Sequence, residues 1–307
     1  NLVKIKNNYD IVFVYCTSPI FQAIPAIIFS KMRKIPVVLW VQDLWPDSVQ
    51  ETGYIKNKFI IGIIKFITKI IYNNSDLILV QSRQFVKPIK ELTKTNIKIF
   101  LNPSEFNFVK KNKFINKIKK NKRIYYAGNI GSVQNLNNLI QFCRNTKLKN
   151  FKIVLFGEGS KKKWLVNQIK NFNISDIIEV KKYLKKNKFK TEMNKADCFL
   201  LLLSDGKALS RTIPAKFQTY LYFGKPIISW SNGEVSLITK KNKLGFCAKS
   251  NSLKEFSSCI SKLTKMKKKE FHKFNKNNID YFNKNFSLEK NTENLIKIFK
   301  DQLTKKL

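Results

Sequence analysis

Three hundred and seven residues with 43% apolar content are enough for two separately cored domains and exclude a disordered chain. The formal net charge of +39, from 59 basic and 20 acidic residues, points at face value to a nucleic acid or an anionic membrane. Only five of the basic residues are arginine (Arg33, Arg83, Arg123, Arg144 and Arg211), and the lysines are scattered among abundant Asn, Ile and Phe. That pattern fits a general compositional drift rather than a dedicated nucleic-acid surface, which would use arginine forks. Attraction to anionic lipid headgroups and phosphorylated ligands survives the discount.

In chain order, short continuous apolar or β-branched runs predict strands at Ile11 to Tyr15, Val37 to Gln42, Leu77 to Ser82 and Ile97 to Phe100, with helical periodicity between them. Strands without polar alternation are covered on both faces, as in parallel sheets built from βαβ units. The segment Phe59 to Tyr72, "FIIGIIKFITKIIY", is interrupted by Lys65 and Lys69 and is too short to span a bilayer, which takes about 20 residues. It reads either as a core helix with a snorkelling basic edge or as a helix lying in a membrane interface. Residues 109 to 123 show no sustained apolar face and read as an inter-domain connection.

The alternation restarts with strands at Arg123 to Gly128, Lys152 to Gly157, Ile177 to Val180, Cys198 to Leu203, Pro226 to Trp230 and Gly245 to Lys249. From Leu253 onward the chain reads as basic helices. The fold class expected is α/β, with two Rossmann-like doubly wound domains facing a cleft, bounded at 1–108 and 109–285 and followed by a helix over 286–307. Cys16, Cys143, Cys198, Cys247 and Cys259 are odd in number, far apart and mostly apolar in context, so they read as buried thiols. His272 is the one histidine, set in the lysine-rich "KKKEFHKFNK"; no Cys or His pair has metal-ligand spacing.

Candidate chemistry falls in the loops after strands. "YYAGNIGSVQN" and "FGEGSKKKWL" place glycines at strand-to-helix turns, where backbone amides can approach a phosphate, or where glycine merely closes the turn. Neither has the full dinucleotide fingerprint, and no Walker lysine motif occurs. "SRTIPAKFQTYLYFGKPI" sets Arg211, Thr212, Lys216 and Gln218 around a helix entered at Pro214. Lys216 in the first turn opposes the helix dipole, a conflict that a bound anion would remove; a solvent-pointing lysine is the alternative. "WVQDLWPDSVQETG" sets Asp43 and Asp47 beside Trp45, a combination suited to sugar hydroxyls and apolar sugar faces; capping of the next helix is the alternative.

Together these motifs, from about Ile11 to Lys249, resemble the family 4 glycosyltransferases of the GT-B fold, especially the L-fucosaminyltransferase, WbuB-like branch of surface polysaccharide synthesis. The resemblance implies metal-independent, retaining transfer of a sugar, such as N-acetyl-L-fucosamine, from a UDP-sugar bound by the carboxyl-terminal domain, with no cofactor. The amino-terminal domain would meet a polyprenyl-diphosphate-linked acceptor at the cytoplasmic membrane face, by peripheral contact with anionic lipid, and the last helix would cross back to it. The residues implied are Asp43, Lys216 and Arg211 in catalysis; Asn129, Gly131, Gln134, Gly157, Thr212, Pro214, Gln218 and Thr219 at the donor; and Asp47, Trp45 and Ser18 at the acceptor. The sequence departs from the wider family: Arg211 and Thr219 stand where two glutamates are usual, Asn129 and Gln134 where Arg and Lys are usual, and Gln42 where histidine is usual. Complete members also carry a preceding segment with a glycine-rich loop, whose absence would compromise catalysis. Alternatives are a non-catalytic basic protein on membrane or nucleic acid, and a GT-B UDP-sugar epimerase.

Overall fold

The computed structural model describes residues 8–52, 55, 57–109 and 120–304. The connection read over 109–123 lies largely outside them. The chain divides into two compact units: unit 1 comprises 1–103, 206–213 and 289–307, and unit 2 comprises 104–205 and 214–288.

In unit 1 the elements are β1 (Val12–Cys16), α1 (Ala23–Arg33), β2 (Val37–Val41), α2 (Asp47–Thr52), α3 (Lys58–Asn73), β3 (Leu77–Val80), α4 (Val86–Lys90) and β4 (Ile97–Ile99). The four strands are parallel in the order β1-β2-β3-β4. Because each strand is laid down on the same side of the last, right-handed crossovers place their helices on one face of the sheet. On that face Val37, Leu39, Val41, Ile78 and Val80 pack with Ala23 and Ile27 of α1 and Ile61, Ile64 and Ile71 of α3. The opposite face, Val38, Trp40, Leu77 and Leu79, needs another cover. It is supplied from the far end of the sequence.

In unit 2 the elements are β5 (Lys122–Ala127), α5 (Leu136–Asn145), β6 (Phe151–Phe156), α6 (Lys162–Asn171), β7 (Ile178–Lys181), α7 (Lys186–Met193) and β8 (Cys198–Leu202). After α8 (Lys207–Arg211), which belongs to unit 1, unit 2 resumes with α9 (Ala215–Tyr222), β9 (Ile227–Trp230), α10 (Glu234–Lys241), β10 (Gly245–Ala248), α11 (Leu253–Lys265) and α12 (Lys268–Asn285). Its six parallel strands run β10-β9-β8-β5-β6-β7. The winding reverses between β5 and β8, and an open α/β sheet binds ligands beyond the carboxyl ends at such a switch point. One face packs on α5, α6 and α11 through Leu139, Leu165 and Phe256. On the other, Tyr220 of α9 stacks on Phe199 of β8 with centroids 4.4 Å apart.

Two details fix the turn between α9 and β9. Lys225, in the "GKPI" run, is fully buried, with its ammonium 5.5 Å from the centroid of Phe271 on α12. Gly224 before it has φ +62°, and a Cβ there would lie 2.4 Å from the Asn275 amide nitrogen that donates to its carbonyl. A glycine is needed at that turn by both conformation and space.

α13 (Leu288–Leu303) covers the second face of the unit 1 sheet: Ile298 joins Val38, Trp40, Leu79 and Phe100, and Phe299 meets Phe13 edge-on at 5.2 Å. The sheet interior on this face is thus completed by residues more than 180 positions downstream. Ile298→Ala is expected to cost unit 1 about 3 kcal/mol, the range for a truncated core side chain, read as a lower denaturant midpoint. An unchanged midpoint would mean that α13 does not complete this core.

Candidate functional site

The carboxyl end of β5 carries one group of polar contacts in unit 2. After Ala127 the chain turns through Gly128 and Asn129, and the loop after β6 runs against it: the Ile130 amide donates to Glu158 (2.7 Å) and the Lys161 amide donates to Ile130 (2.9 Å). This contact explains Gly157, where a Cβ would come within 1.9 Å of the Gly128 carbonyl oxygen. The glycine serves loop-on-loop packing, so its spacing alone does not mark a phosphate cradle. Gln134 is buried and accepts the Gly131 amide through Oε1 (2.7 Å), which closes the turn ahead of α5. Asn129 accepts the Tyr126 hydroxyl through its carbonyl (2.6 Å).

Helix α9 lies over this strand end. Pro214 is its N-cap, with extended backbone, one position earlier than the first-helical-residue placement expected. Tyr220 receives the Ala127 amide on its hydroxyl (2.9 Å), which ties the helix to the end of β5. Lys216, in the first turn, does not point to solvent. Its Nζ donates to the Tyr126 hydroxyl at 2.5 Å, stands 4.1 Å from that ring's centroid, and has no carboxylate partner among the described residues. Burial pulls its pKa from 10.5 down to about 8. Burial likewise raises the pKa of the Tyr126 phenol, which stays protonated and donates its O–H to the Asn129 backbone carbonyl. The resulting chain, Lys216 to Tyr126 to Asn129, leaves two ammonium protons unspent.

Lys216 lines a cavity of about 470 Å³, with Gly128, Thr219, Tyr220, Phe106, Glu105 and Lys190 also on its wall. Lys190 sits 5.0 Å from the centroid of Phe106. Gln218, expected at the donor, is buried in α9 and is not on this wall.

Unit 1 gathers a second polar cluster at the carboxyl ends of β1 and β2. Ser18 donates to Asp43 Oδ2 (2.7 Å) and receives the indole N–H of Trp45 (3.0 Å), so three of the four side chains expected there form one network. Asp43 is therefore engaged by a hydroxyl rather than by the next helix amide. Asp47 opens α2 and accepts Arg211 Nη1 at 2.7 Å. Gln42 is buried and accepts Asn102 Nδ2 (2.7 Å).

Arg211 is thus ion-paired within its own unit. Residues 206–213 were expected within the second domain, but they belong to unit 1, where Asp47 and Glu51 hold them. Glu51 accepts the amides of Ala208 and Leu209, capping the first turn of α8, and the Thr212 hydroxyl returns to the Ala208 carbonyl (2.9 Å). Arg211 therefore already has a counter-charge, whereas Lys216, on the wall of the cavity, has no carboxylate partner among the described residues. Glu51 and Tyr126 were missed from sequence. A carboxylate some 157 positions before the amides it caps leaves no local signal, and a tyrosine inside a strand run reads as core.

The comparisons agree with this architecture. The family profile of glycosyl transferases group 1 matches residues 108–281, more than half of the chain. The chain belongs to the glycosyl transferases group 1. No curated protein matches it. Among solved structures, Alr3699/HepE of Anabaena, in complex with UDP and glucose, is similar at TM-score 0.72 and 12% identity, over 95% of this chain and 78% of that one. Sucrose-phosphate synthase of Thermosynechococcus elongatus is similar at 0.74 and 10%, over 97% and 75%. A glycosyltransferase of Rickettsia africae is similar at 0.70 and 15%, over 96% and 77%. At these identities the likeness is one of fold: two parallel-sheet α/β Rossmann-like domains of the GT-B class. Among the described residues no helix is long and apolar enough to cross a membrane, and no cluster of three or more His, Cys, Asp or Glu side chains is arranged to hold a metal ion.

The lowered Lys216 pKa carries a stability consequence with a definite sign. The folded state holds this proton less tightly than the unfolded chain, so the cost of burial is fully present below about pH 8 and fades as pH approaches 10.5. Lys216→Met is expected to raise stability at pH 7 by up to about 3 kcal/mol, with the gain shrinking across that window in denaturant titrations. A gain independent of pH would contradict the assignment. Glu51→Ala, which uncaps α8, is expected to lower stability by about 1 kcal/mol, with no change if another group takes over the cap.

Proposed function

We propose that unit 2 binds a UDP-linked sugar and that the chain transfers that sugar, with retention of configuration, to a glycan or polyprenyl-diphosphate-linked acceptor in surface polysaccharide assembly at the membrane's cytoplasmic face. The WbuB-like motifs favour N-acetyl-L-fucosamine as the sugar. The observation that carries the proposal is Lys216: a desolvated ammonium without a carboxylate, beside the first-turn amides of α9, at the switch point of a doubly wound sheet. The UDP held by the similar Anabaena protein supports the choice of nucleotide.

In this reading the departing diphosphate gathers negative charge as the glycosidic bond breaks. Lys216 and the helix-end amides offset it without a metal. Tyr126 positions Lys216, and Thr219 faces the donor from the cavity wall. Asn129, Gly131, Gln134 and Gly157 shape the loop against which the donor rests. Asp43 orients and deprotonates the acceptor hydroxyl, with Ser18 and Trp45 holding the carboxylate in place. Arg211, neutralised by Asp47, shapes the segment leading into α9 rather than binding phosphate.

Thermal stabilisation by UDP in moderate salt tests the proposal. At a hundredfold excess over Kd the linkage is worth about 2.7 kcal/mol, a shift of several degrees. Lys216→Ala is expected to weaken UDP binding at least tenfold through the loss of about 1.5–3 kcal/mol of charge-assisted hydrogen bonding, and Tyr126→Phe by less. No shift with any nucleoside diphosphate, or equal affinity for wild type and Lys216→Ala, would refute it.

A further inference from the structure

An edge strand leaves one row of backbone N–H and C=O groups without a sheet partner, and proteins ordinarily cover that row or blunt it. β10 is an edge strand of the unit 2 sheet, separated from the switch point by β9 and β8. Its backbone groups alternate in direction. The carbonyls of Leu244 and Ala248 turn to β9, where they accept the Ile227 and Ser231 amides (3.2 and 3.1 Å), so in the parallel register Gly245 and Cys247 turn theirs outward. The amides of Gly245 and Cys247 and the carbonyl of Gly245 have no hydrogen-bond partner among the described residues. The Cys247 carbonyl receives the Cys259 thiol at 3.4 Å, a weak donor. One residue further on the row is closed, because the Lys249 amide donates to Glu255 Oε2.

The open row faces a cavity of about 770 Å³ that β10 lines along its whole length, from Gly245 to Lys249. The apolar part of the wall is Leu237 of α10, 57% exposed, together with Phe246 of β10 and Phe274 of α12, which meet edge-on at 5.3 Å. Around it stand Lys240, Lys243, Lys249, Lys262 and Lys273, drawn from α10, the turn into β10, its end, α11 and α12. None of the five has a carboxylate partner among the described residues. The two glutamates on the wall are held by backbone: Glu255 accepts the Lys249 amide and Glu270 the Lys267 amide, each at 2.9 Å. The groove thus joins unpaired main-chain groups, an apolar patch and an excess of positive charge.

We infer that the open edge of β10 is a docking surface for an extended acidic segment of a partner protein. The segment adds as a further strand: its backbone pairs with Gly245 and Cys247, its apolar side chains rest on Leu237, Phe246 and Phe274, and its carboxylates meet the lysines. Main-chain pairing alone would accept any strand, including β10 of a second copy of the chain. Charge decides between them. A second copy would bring its own five lysines against these, and like charges facing each other across a strand pair repel, whereas an acidic segment neutralises them. Lysines on an edge also discourage pairing with basic or neutral strands, so the same side chains that recruit the partner exclude others. The surface shares no residue with the nucleotide cavity, and the inference does not rest on the proposed transfer reaction.

The test is fluorescence anisotropy of a labelled peptide of alternating Glu and Val, titrated with the full chain at physiological ionic strength, where diffuse attraction is screened within about 8 Å. Two controls accompany it: a Lys–Val peptide of the same length, and the Glu–Val peptide N-methylated at its four central amides, which keeps every charge but blocks strand pairing. The Glu–Val peptide is expected to bind, and the N-methylated one to bind at least about tenfold more weakly through the loss of two or three main-chain hydrogen bonds. The Lys–Val peptide should not bind. Lys240→Gln with Lys262→Gln is expected to weaken binding of the Glu–Val peptide at least about fivefold with an unchanged melting temperature, two exposed ion pairs being lost. Leu237→Ser is an independent change on the apolar patch and should weaken it too. Absence of binding, or equal affinity for the methylated and unmethylated peptides, overturns the inference. So does displacement of the peptide by oligouridylate as readily as by unlabelled peptide, which would make the groove a site for nucleic acid, or a dimer in solution that Leu237→Ser dissolves and the peptide does not, which would assign the edge to a second copy of the chain.

Discussion

A half-buried lysine ammonium set against a phenol, with no carboxylate partner among the described residues, is an electrostatically incomplete arrangement, and the functional account depends on it. Burial alone would favour replacing Lys216 by an apolar side chain, since its charged form is penalised enough to bring its pKa to about 8. The fold nevertheless surrounds it with supports: Tyr126 accepts from it, Asn129 accepts from Tyr126, and Tyr220 ties α9 to the end of β5. A negatively charged ligand would complete the set. The cost is local, and it lies at the topological point where sheets of this kind bind ligands.

The two sheets solve the problem of covering their faces differently, and the difference determines which residues become available. Unit 2 reverses its winding between β5 and β8, so its own crossovers cover both faces and open a crevice at the reversal. Unit 1, over its described strands, winds in one direction, leaving a face that α13 must close with Ile298 and Phe299. Residues 206–213 behave similarly: Glu51 caps their short helix and Asp47 pairs with Arg211, so they belong to unit 1 although they lie between β8 and α9 in sequence. Five positions separate Arg211 from Lys216, yet one is paired with a carboxylate and the other is not.

Much of the fold was legible because strands buried on both faces are written as unbroken apolar runs. Each of the ten described strands falls within two residues of its predicted position. The first-turn lysine was legible too, because a cation against a helix dipole is a local conflict. Less legible was anything settled by distant partners. Glycine spacing at Gly131 and Gly157 suggested a phosphate turn, whereas the space a Cβ would occupy is taken by neighbouring protein atoms. Arg211 read as a phosphate ligand until Asp47, 164 positions away, was seen to neutralise it. Periodicity could show that α3 was amphipathic but not that Phe59 and Phe66 on it stay exposed, since that depends on which elements pack beside it.

The most direct measurement is an NMR titration of the Lys216 side-chain Nζ and Cε resonances, assigned by comparison with Lys216→Met, in the free protein and with saturating UDP. The account predicts a midpoint near pH 8 in the free protein, rising towards the ordinary lysine value once the diphosphate supplies the missing counter-charge. A midpoint near 10.5 in the free protein, or one that UDP leaves where it was, would contradict it.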